Sequence, residues 1–511
     1  MPTYFEIIKS ENYEAIRKIF EDNRPAYMTG LNGYTFEQAK DEYIVDSHRV
    51  MINDSDNRPD KTIFRPVISD STGETLIDTA TGNAKVQRAI SKVNRVPLPV
   101  PEIIVNRRVG FMLGNPIKYD VVFNDKNPKE QTLVDYVYEI EDSSKISYKN
   151  KEIARRMMSE MACAELWYLT ELKEEGFWNY ISSRFGFSKP KYLLKMKVLS
   201  PMLGDGLYPL FDGYGDLIAF ARSYKLKEDQ KEVDCFDVYT LEMTYKFSNR
   251  DTAWKLDETS VGGGKIPNLA QKIPLVYHQQ EKPEWANVQK MIERLEKLLS
   301  NHGDMNDYFG EPILAIFGQL IQAVNKGESG KILQLAENAK ASFLALDSPP
   351  ESVKMEIENL EKFIFALSQT PNISFSEMKS LGDLSGVALE LMFLDAHLAA
   401  RAKEEVFGVG IQRRVNLIKA FIGNILDVSL AEASQTVKMK PVFTPYMPKN
   451  MKELIETMSQ SVASGIISTT TATEKLENEG YISDASKEQE RLQQEADLIA
   501  KRNNQIGLNF Q

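Results

Sequence analysis

The sequence predicts an α+β protein that is mostly helical, and three observations lead to this fold class. Short β segments separated by turn residues are concentrated between Tyr192 and Phe247. Beyond Pro283 the chain has long amphipathic patterns, with apolar residues at every third or fourth position. The hydrophobic fraction of 42% and the charged fraction of 26% are those of a folded globular protein. A chain of 511 residues is too long for one core, so two to four folded parts are expected.

The first part of the chain, to about residue 283, is predicted to mix helices and strands. Residues 12–23 have helical spacing, whereas residues 96–105 contain several prolines and are predicted to be extended. Residues 151–173 have the apolar spacing of one long helix. Residues 212–216 (DGYGD) are typical of a hairpin turn, and residues 258–270 are predicted to form a loop.

Two amphipathic helices are predicted next, and the second ends near Pro371. The second helix begins with a capping serine, Ser348, two prolines in its first turn, and Glu351 placed to complete a capping box. The apolar stripes consist of Trp285, Val288, Ile292, Leu295 and Leu299 in the first helix, and of Val353, Ile357, Leu360, Ile364 and Leu367 in the second.

The longest helical run is predicted from about Leu384 to Leu426. A helix of about forty residues would span about 60 Å, which is longer than a compact domain needs and is typical of a strut. Gly408 and Gly410 interrupt its pattern and predict a kink or close packing. The stripe before them consists of Val387, Leu391, Leu394, Leu398, Ala402 and Val406.

The remaining chain is predicted to contain one strand and further helices. The strand covers residues 437–443, and a helix follows in residues 451–465. Residues 468–473 are predicted to be a threonine-rich link, with Thr471 and Glu474 spaced as a capping box for the next helix. A charged final helix is expected from about residue 486 to residue 503.

The composition limits the classes of function. The net charge of −11 argues against tight binding of nucleic acid, which depends on rows of Lys and Arg that displace counterions from phosphates. The same charge is compatible with a conduit for DNA, because every attractive site would slow sliding. The chain has no stretch of twenty apolar residues, its start is too charged for a secretory signal, and its two cysteines lack metal or redox spacing. An intracellular protein is therefore expected.

Motifs for chemistry are weak. The four histidines, His48, His278, His302 and His397, do not have metal-ligand spacing, and structural roles are expected for them. Residues 262–265 (GGGK) are similar to a phosphate loop, but isoleucine follows where Ser or Thr is required. Asp205, Asp212 and Asp216 could bind calcium, although turn chemistry explains them better. We predict no catalytic residue, no metal and no cofactor, although missing motifs do not exclude an enzyme.

Three short strings carry a family resemblance. Residues 371–373 (PNI) followed by residues 385–389 (SGVAL) form one of them, and the others are residues 106–117 (NRRVGFMLGNPI) and 273–276 (IPLV). In the order in which they occur along the chain, from about residue 83 onward, these strings resemble the portal proteins of tailed bacteriophages with long flexible tails. Residues 106–117 resemble the family's early strand, and residues 273–276 resemble the strand before its first stem helix. Asn372 replaces the aspartate that is usual in the family.

The resemblance implies a portal fold with wing, stem, clip and crown that assembles as a ring. Its parts would be the wing in residues 1–283, stem helices in 284–308 and 349–370, the clip in 309–348, a tunnel loop in 371–384, a long wing helix and return strand in 385–445, and the crown in 446–511.

The resemblance also implies a function without chemistry of its own, because a separate terminase hydrolyses ATP in this family. The ring, twelvefold in the virion, would stand at a capsid vertex and conduct double-stranded DNA during packaging and ejection. Its implied partners are the terminase, a head-completion or adaptor protein, and the major capsid and scaffolding proteins, with no membrane. The implied location is the virion, and the host cytoplasm during assembly.

The candidate site residues follow from these parts. They are Trp285, Ile292, Leu295, Ile357, Leu360 and Ile364 in the stem, Ile313, Leu314, Ile316 and Phe317 in the clip, and Ser376, Lys379, Ser380 and Asp383 in the tunnel loop. The clip would also include a helical segment in residues 336–342. Lys379 is the single basic residue of the string PNISFSEMKSLGD, so transient phosphate contact is our hypothesis, with simple solvation as the alternative.

Two other functions remain open from the sequence. The chain could be a metal-dependent enzyme that processes nucleic acid for the same virus, with acidic residues that bind magnesium. That alternative predicts turnover and a small oligomer, whereas a portal predicts a large ring without activity. A helical scaffold or adaptor is the third possibility, and it would have no central channel.

Overall fold

The structure is a computed structural model that describes most of the chain. The described residues are 3–67, 69, 75–78, 83–124, 126–171, 192–228, 231–310, 313–317, 320–322, 334–335, 340–344, 351–371, 391, 393–444, 451–478 and 480–508. About half of the chain is helix and about a fifth is strand, which confirms an α+β protein that is mostly helical. The chain forms two compact units, one from residues 1–372 and 395–446 and one from residues 373–394 and 447–511.

The helices are α1 (Tyr4–Lys9), α2 (Tyr13–Asp22), α3 (Ala26–Thr29), α4 (Phe36–Tyr43), α5 (Val100–Leu113), α6 (Pro128–Ser143), α7 (Ile146–Glu160), α8 (Gln289–Gly310), α9 (Glu351–Leu367), α10 (Leu394–Phe421), α11 (Ala431–Thr436), α12 (Met451–Ala463), α13 (Thr469–Asn478) and α14 (Ala485–Leu508).

The strands are β1 (Lys61–Pro66), β2 (Val86–Ser91), β3 (Lys118–Val122), β4 (Ala162–Glu171), β5 (Tyr192–Leu199), β6 (Gly206–Phe211), β7 (Leu217–Glu228), β8 (Lys231–Tyr239), β9 (Met243–Ser248), β10 (Lys255–Leu256), β11 (Lys265–Pro267), β12 (Leu275–Gln279), β13 (Ile313–Phe317), β14 (Leu320–Gln322), β15 (Gln334–Leu335), β16 (Lys340–Leu344) and β17 (Lys438–Val442).

The largest sheet has the antiparallel order β10-β9-β8-β7-β6, with β11 paired to β9. Helix α2 covers it, because Ile16 and Phe20 are buried in a cluster with Phe236 and Phe247. Asn12 caps this helix by accepting a hydrogen bond from the backbone of Ala15 at 3.2 Å. The predicted helix in residues 12–23 is therefore confirmed, and its apolar face is buried on the sheet.

A second sheet has the order β12-β4-β5 and forms the base for the long helix α10. Smaller antiparallel pairs are β1 with β2, β17 with β3, β13 with β16, and β14 with β15. The β17–β3 pair joins the strand predicted in residues 437–443 to a strand more than three hundred residues earlier. The first compact unit is thus closed by pairing between distant parts of the chain.

The predicted hairpin turn between β6 and β7 is confirmed. The carboxylate of Asp212 accepts hydrogen bonds from the backbone of Tyr214 and Asp216, each at 2.9 Å. Gly215 has a φ of +91°, a conformation that residues with a Cβ rarely adopt. Asp212 therefore has the backbone role that was expected of it.

The prediction of one helix in residues 151–173 is wrong after its first ten residues. Helix α7 ends at Glu160, Met161 has a φ of +66°, and β4 follows as the central strand of the second sheet. Residues 162–165 are all buried. A central strand that is buried on both faces has no polar alternation, so its apolar run does not distinguish a strand from a helix.

The extended conformation predicted for residues 96–105 is wrong from Val100, where α5 begins. Pro101 lies in the first turn of α5, where its missing N–H leaves no helical hydrogen bond unmade. The early strand expected in residues 106–117 is wrong for the same reason, since these residues are helical to Leu113 and β3 begins at Lys118.

Three shorter predictions are also corrected. Residues 258–270 are not wholly a loop, because β11 pairs with β9. Residues 340–342 of the expected clip helix belong to β16, where pairing with β13 overrides their helical composition. Helix α13 begins at Thr469, capped by Ser468, which accepts a hydrogen bond from the backbone of Thr471 at 3.1 Å, so the box at Thr471 is wrong.

Helix α10 runs through Gly408 and Gly410 without interruption, and residues 384–390 of the predicted run lie outside the described residues. A Cβ at position 410 would overlap the imidazole ring of His278. The prediction of close packing is therefore confirmed at Gly410, whereas a Cβ at Gly408 would meet only ordinary contact with Phe443. The helix ends in a π-helical turn over Ile422–Leu426.

Candidate functional site

The two helices predicted as a stem, α8 and α9, are in contact. Ile292 and Leu295 of α8 are buried, as is Ile364 of α9, while Ile357 and Leu360 are partly buried. Apolar residues at three- and four-residue spacing form one face of each helix, so contact between the helices removes those faces from water. The predicted stripes are therefore buried at Ile292, Leu295 and Ile364, whereas Leu367, at the end of the second stripe, is exposed.

An ion pair also joins the two helices. The Nε atom of Arg294 donates a hydrogen bond to Oε1 of Glu356 at 2.8 Å. Both side chains are largely exposed, so water screens the pair and its contribution to stability is small. Apolar burial, and not this ion pair, holds the helices together.

Trp285 lies in the turn before α8 and not in the helix, which begins at Gln289. Its side chain is fully buried, and its Nε1 donates a hydrogen bond to Oε2 of Glu42 at 2.9 Å. Its ring also stacks on that of Tyr43, with 5.4 Å between the centroids. Trp285 therefore fixes the start of α8 to α4, a longer-range role than the stem contact predicted for it.

A second face of α8 holds an extended segment from the amino-terminal part of the chain. The backbone amides of Asn94, Val96 and Leu98 donate to side chains of α8. The acceptors are Asp304 at 2.7 Å, Ser300 at 2.9 Å and Glu296 at 2.8 Å, in that order. We call this antiparallel arrangement the clasp.

The clasp is possible because two repeats coincide. Alternate residues of an extended chain are about 6.6 Å apart, and residues four apart in a helix are separated by about 6 Å along its axis. Every second amide of the extended segment therefore meets one acceptor of the helix. Pro97 and Pro99 occupy alternate positions and have no N–H, so the segment needs few acceptors on its other edge.

Arg58 and His48 contact the two ends of the clasp. Arg58 donates to Oδ2 of Asp304 at 3.0 Å and to Oδ1 of Asn301 at 2.7 Å. At the other end, Nδ1 of His48 lies 2.7 Å from Oε1 of Glu296, and both side chains are buried. His48 thus has the structural role that was predicted for the histidines.

The carboxyl end of α9 is fixed to α5. The guanidinium of Arg108 donates to the carbonyl of Ser368 at 2.8 Å, and that of Arg107 donates to the carbonyl of Pro371. The Arg107 guanidinium also lies over the ring of Phe365, 5.2 Å from its centroid. The chain therefore leaves α9 from a fixed position just before residue 372.

The long helix α10 is joined to the second sheet by a buried ion pair. Arg414 donates to both carboxylate oxygens of Glu165 in β4, at 2.6 and 2.8 Å. Nε2 of His278 in β12 lies 2.8 Å from Oε1 of the same carboxylate, and Nε1 of Trp167 donates to Oε2 at 3.1 Å. The Glu165 carboxylate therefore receives hydrogen bonds from two strands and from the helix.

The charge of this carboxylate is stabilised despite its burial. Burial alone would raise the pKa of Glu165, but the charge of Arg414 and the hydrogen bonds from His278 and Arg414 outweigh it and lower the pKa to about 2. Arg414 is fully buried as well, and the same pairing raises its pKa against the effect of burial. Both groups are therefore charged at neutral pH.

The other predicted site residues are placed as follows. Ile313, Leu314, Ile316 and Phe317 lie in β13, opposite Leu344, Phe343, Ala341 and Lys340 of β16. The tunnel-loop residues Ser376, Lys379, Ser380 and Asp383 lie outside the described residues. The candidate clip residues therefore lie in a strand. The prediction for the tunnel-loop residues is not tested.

The weak motifs for chemistry have structural partners. Asp205 pairs with Arg222 through its Oδ1, 2.6 Å from the guanidinium. Gly262 and Gly263 have φ values of +71° and +63° in a turn that leads into β11, and Lys265 pairs with Glu11. Both cysteines are buried and free.

Neither a metal cluster nor a membrane span is found in the part of the chain that the structure describes. There, no three residues of the types His, Cys, Asp and Glu are grouped so that they could hold an ion. No described helix combines the length and the apolar character needed to cross a bilayer.

Sequence reasoning missed the clasp and the buried ion pair. The signal for the clasp was present in the alternating prolines and in the four-residue spacing of Glu296, Ser300 and Asp304. Glu165 and Arg414 have no such signal, because each stands within an apolar pattern and their partnership depends on the fold.

In a comparison with protein-family models, residues 83–502 match the family described as "Phage portal protein, SPP1 Gp6-like". The match covers about four-fifths of the chain and begins at the residue from which the resemblance was noted. No curated protein matches this chain.

Proposed function

Because this chain belongs to the SPP1 Gp6-like family of phage portal proteins, we propose that it forms the ring at a capsid vertex through which viral DNA enters and leaves. The family match over residues 83–502 is the observation that carries this proposal. The family is a structural one and not a family of enzymes. A portal role in a bacteriophage particle accordingly requires no catalytic residue from this chain.

The surface of α9 supports assembly of several copies. Ile364 is buried within the chain, whereas Met355, Phe363 and Leu367 of the same helix are more than half exposed. Exposed apolar side chains at helical spacing favour contact with another protein surface. In the proposed ring, these residues of the second stem helix contact the neighbouring subunit, and the polar side chains of α8 and α9 face the channel.

The remaining parts keep the roles that the resemblance implies. The antiparallel pair β13–β16 belongs to the proposed clip, which faces the terminase during packaging and the head-tail adaptor afterwards. Residues 371–384 form the proposed tunnel loop, and the chain after residue 446 forms the proposed crown inside the capsid. In this arrangement the clasp joins the first stem helix to the wing, and the Glu165–Arg414 pair joins the long wing helix to a sheet of the wing.

The negative net charge of the chain supports a channel that does not bind DNA tightly. The chain carries 73 acidic and 62 basic residues of the types Asp, Glu, Lys and Arg. Tight DNA binding requires a surplus of cations on the contacting surface, and each such contact would slow movement along the axis. Lys379 is the proposed exception, with transient contact to passing phosphates.

The function is tested by complementation of phage particles that lack this chain. We expect heads assembled without it to remain empty, and heads assembled with it to package DNA to the wild-type level. Full heads without the chain would contradict the function. In the same assay, unchanged packaging by Lys379→Ala would contradict the phosphate contact but not the portal role.

A further inference from the structure

A cavity of about 900 Å³ lies beside the long helix in the first compact unit. The amino-terminal end of β7, the segment before β12, the middle of α10 and strand β17 form its walls. No residue of the clasp or of the Glu165–Arg414 pair lines this cavity.

Three cations line this cavity, and none of them has a side-chain hydrogen bond or ion pair within the described part of the chain. They are Lys272 before β12, Arg413 in α10 and Lys440 in β17. No side-chain hydrogen bond or ion pair with any described residue is made by these three. Asp216 is the one acidic residue among the lining residues, and it is not within ion-pair distance of them.

Partial burial of the Arg413 guanidinium without an ion-pair partner among the described residues costs free energy. Burial lowers the pKa of Arg413, and the charge of Asp216 offsets this effect only in part. A guanidinium that is partly removed from water and unpaired is stabilised when an anion enters beside it. The positive charges of the cavity therefore favour binding of a negatively charged group.

Apart from Asp216 and the side-chain amides of Gln271, Gln412 and Asn416, the rest of the lining is apolar, and this mixed surface distinguishes between anionic ligands. Leu217, Ile273 and Leu417 line the cavity together with Val409 and Leu241, which are exposed at 71% and 45%. DNA phosphates require cations along an open surface, whereas a concave site with apolar walls suits a protein side chain and its apolar neighbours. The lining thus favours an acidic protein segment.

We propose that this cavity receives a carboxylate-bearing segment of a second copy of this chain, and this inference rests on the ring of the proposed function. Two observations favour that occupant. The chain has a net charge of −11, so the surface that a second copy presents is predominantly acidic and complementary to a cationic cavity. Contacts in a cyclic ring are heterologous, so a cavity on one side of a subunit meets a different surface of the next.

Charge reversal tests the proposal. The variant Lys272→Glu, Arg413→Glu, Lys440→Glu is compared with a control that reverses three exposed, unpaired lysines elsewhere, Lys18→Glu, Lys151→Glu and Lys195→Glu. Both variants change the net charge equally. We expect about tenfold weaker association of subunits for the cavity variant and wild-type association for the control, as measured by analytical ultracentrifugation.

Cross-linking of the wild-type protein provides a test that does not depend on a variant. A carbodiimide joins lysine amines to carboxylates in direct contact, and mixed ¹⁵N-labelled and unlabelled subunits identify links between copies by mass spectrometry. We expect Lys272 or Lys440 to be linked to a carboxylate of another copy.

The outcomes separate this inference from the portal role. Rings that form equally well in the cavity variant and the control, without links between copies at Lys272 or Lys440, would overturn the inference and leave the portal role intact. Loss of DNA binding with unchanged association would overturn it in favour of a phosphate site. Absence of rings for every protein, including wild type, would count against the proposed function itself.

Discussion

Arg414 in the long helix α10 holds Glu165 in the central strand of the second sheet through two hydrogen bonds of 2.6 and 2.8 Å, with both side chains fully buried. The two residues are 249 positions apart. Each would be costly alone in the protein interior, and each stabilises the charge of the other. The pair therefore fixes the position and rotation of α10 on the sheet.

Removal of one partner from this pair should destabilise the protein. We expect Arg414→Met to lower the free energy of unfolding by about 3–5 kcal/mol, because it leaves the Glu165 carboxylate buried without a counter-charge. Arg401→Met, an exposed position of the same helix, should change it by less than about 0.5 kcal/mol. Urea unfolding measures both values, and equal midpoints for the two variants would contradict the assigned role.

The pH dependence of stability should show the lowered pKa of Glu165. In the unfolded chain its pKa is near 4.5, and in the folded protein it is about 2. The carboxylate therefore contributes its full stabilisation above pH 4.5, and this contribution is lost as the pH falls from 4.5 toward 2.

Glu165→Gln is expected to lose stability at neutral pH and to show a smaller further loss between pH 4.5 and pH 2 than the wild type. Glu171→Gln replaces an exposed acid of the same strand and should keep the wild-type slope. Thermal unfolding across this pH range measures the slopes. A Glu165→Gln slope equal to that of the wild type would show that Glu165 is not the group responsible.

Gly410 is expected to be intolerant of a larger side chain. In Gly410→Ala the new methyl group would overlap His278, so α10 must shift away from the sheet, and we expect a destabilisation of about 1–3 kcal/mol. Gly110→Ala is the matched control, since Gly110 also lies in a helix but its Cβ would have open space. Helix propensity should make that control neutral or stabilising by up to about 1 kcal/mol. Equal effects in calorimetry would refute the packing argument.

The clasp should be visible in amide hydrogen exchange. Ser300→Ala removes the acceptor of the Val96 amide, so exchange at Val96 should become about tenfold faster, which corresponds to the loss of one hydrogen bond. Lys297→Ala alters an exposed residue of the same helix that takes no part in the clasp and should leave the rate unchanged. Unchanged protection of Val96 in Ser300→Ala would mean that the clasp does not form in solution.

Local patterns allowed much of the fold to be predicted. Helix α2, the β6–β7 turn and the α8–α9 pair depend on capping residues, glycine and apolar spacing within about twenty residues, all of which are legible in the sequence. Strand β4 was missed because it is a central strand, and its neighbour β12 lies about a hundred residues later in the chain. Its buried face therefore lacks the polar alternation that marks a half-exposed strand.

The long helix shows why the candidate site was harder to predict. Its apolar pattern picks out Leu398, Ala402 and Val406, yet these residues are exposed in the single chain. The face that is buried contains Gly410, and also Arg414, a residue that no hydrophobic pattern selects. Its burial depends on Glu165, so the site could be found only from the fold.

Imaging of the purified full-length chain by electron microscopy tests the central claim most directly. The portal assignment predicts closed rings with an axial channel wide enough for double-stranded DNA, and apolar residues of α9 such as Phe363 covered at the contacts between subunits. Monomers or dimers under every assembly condition, or rings without a central channel, would contradict it.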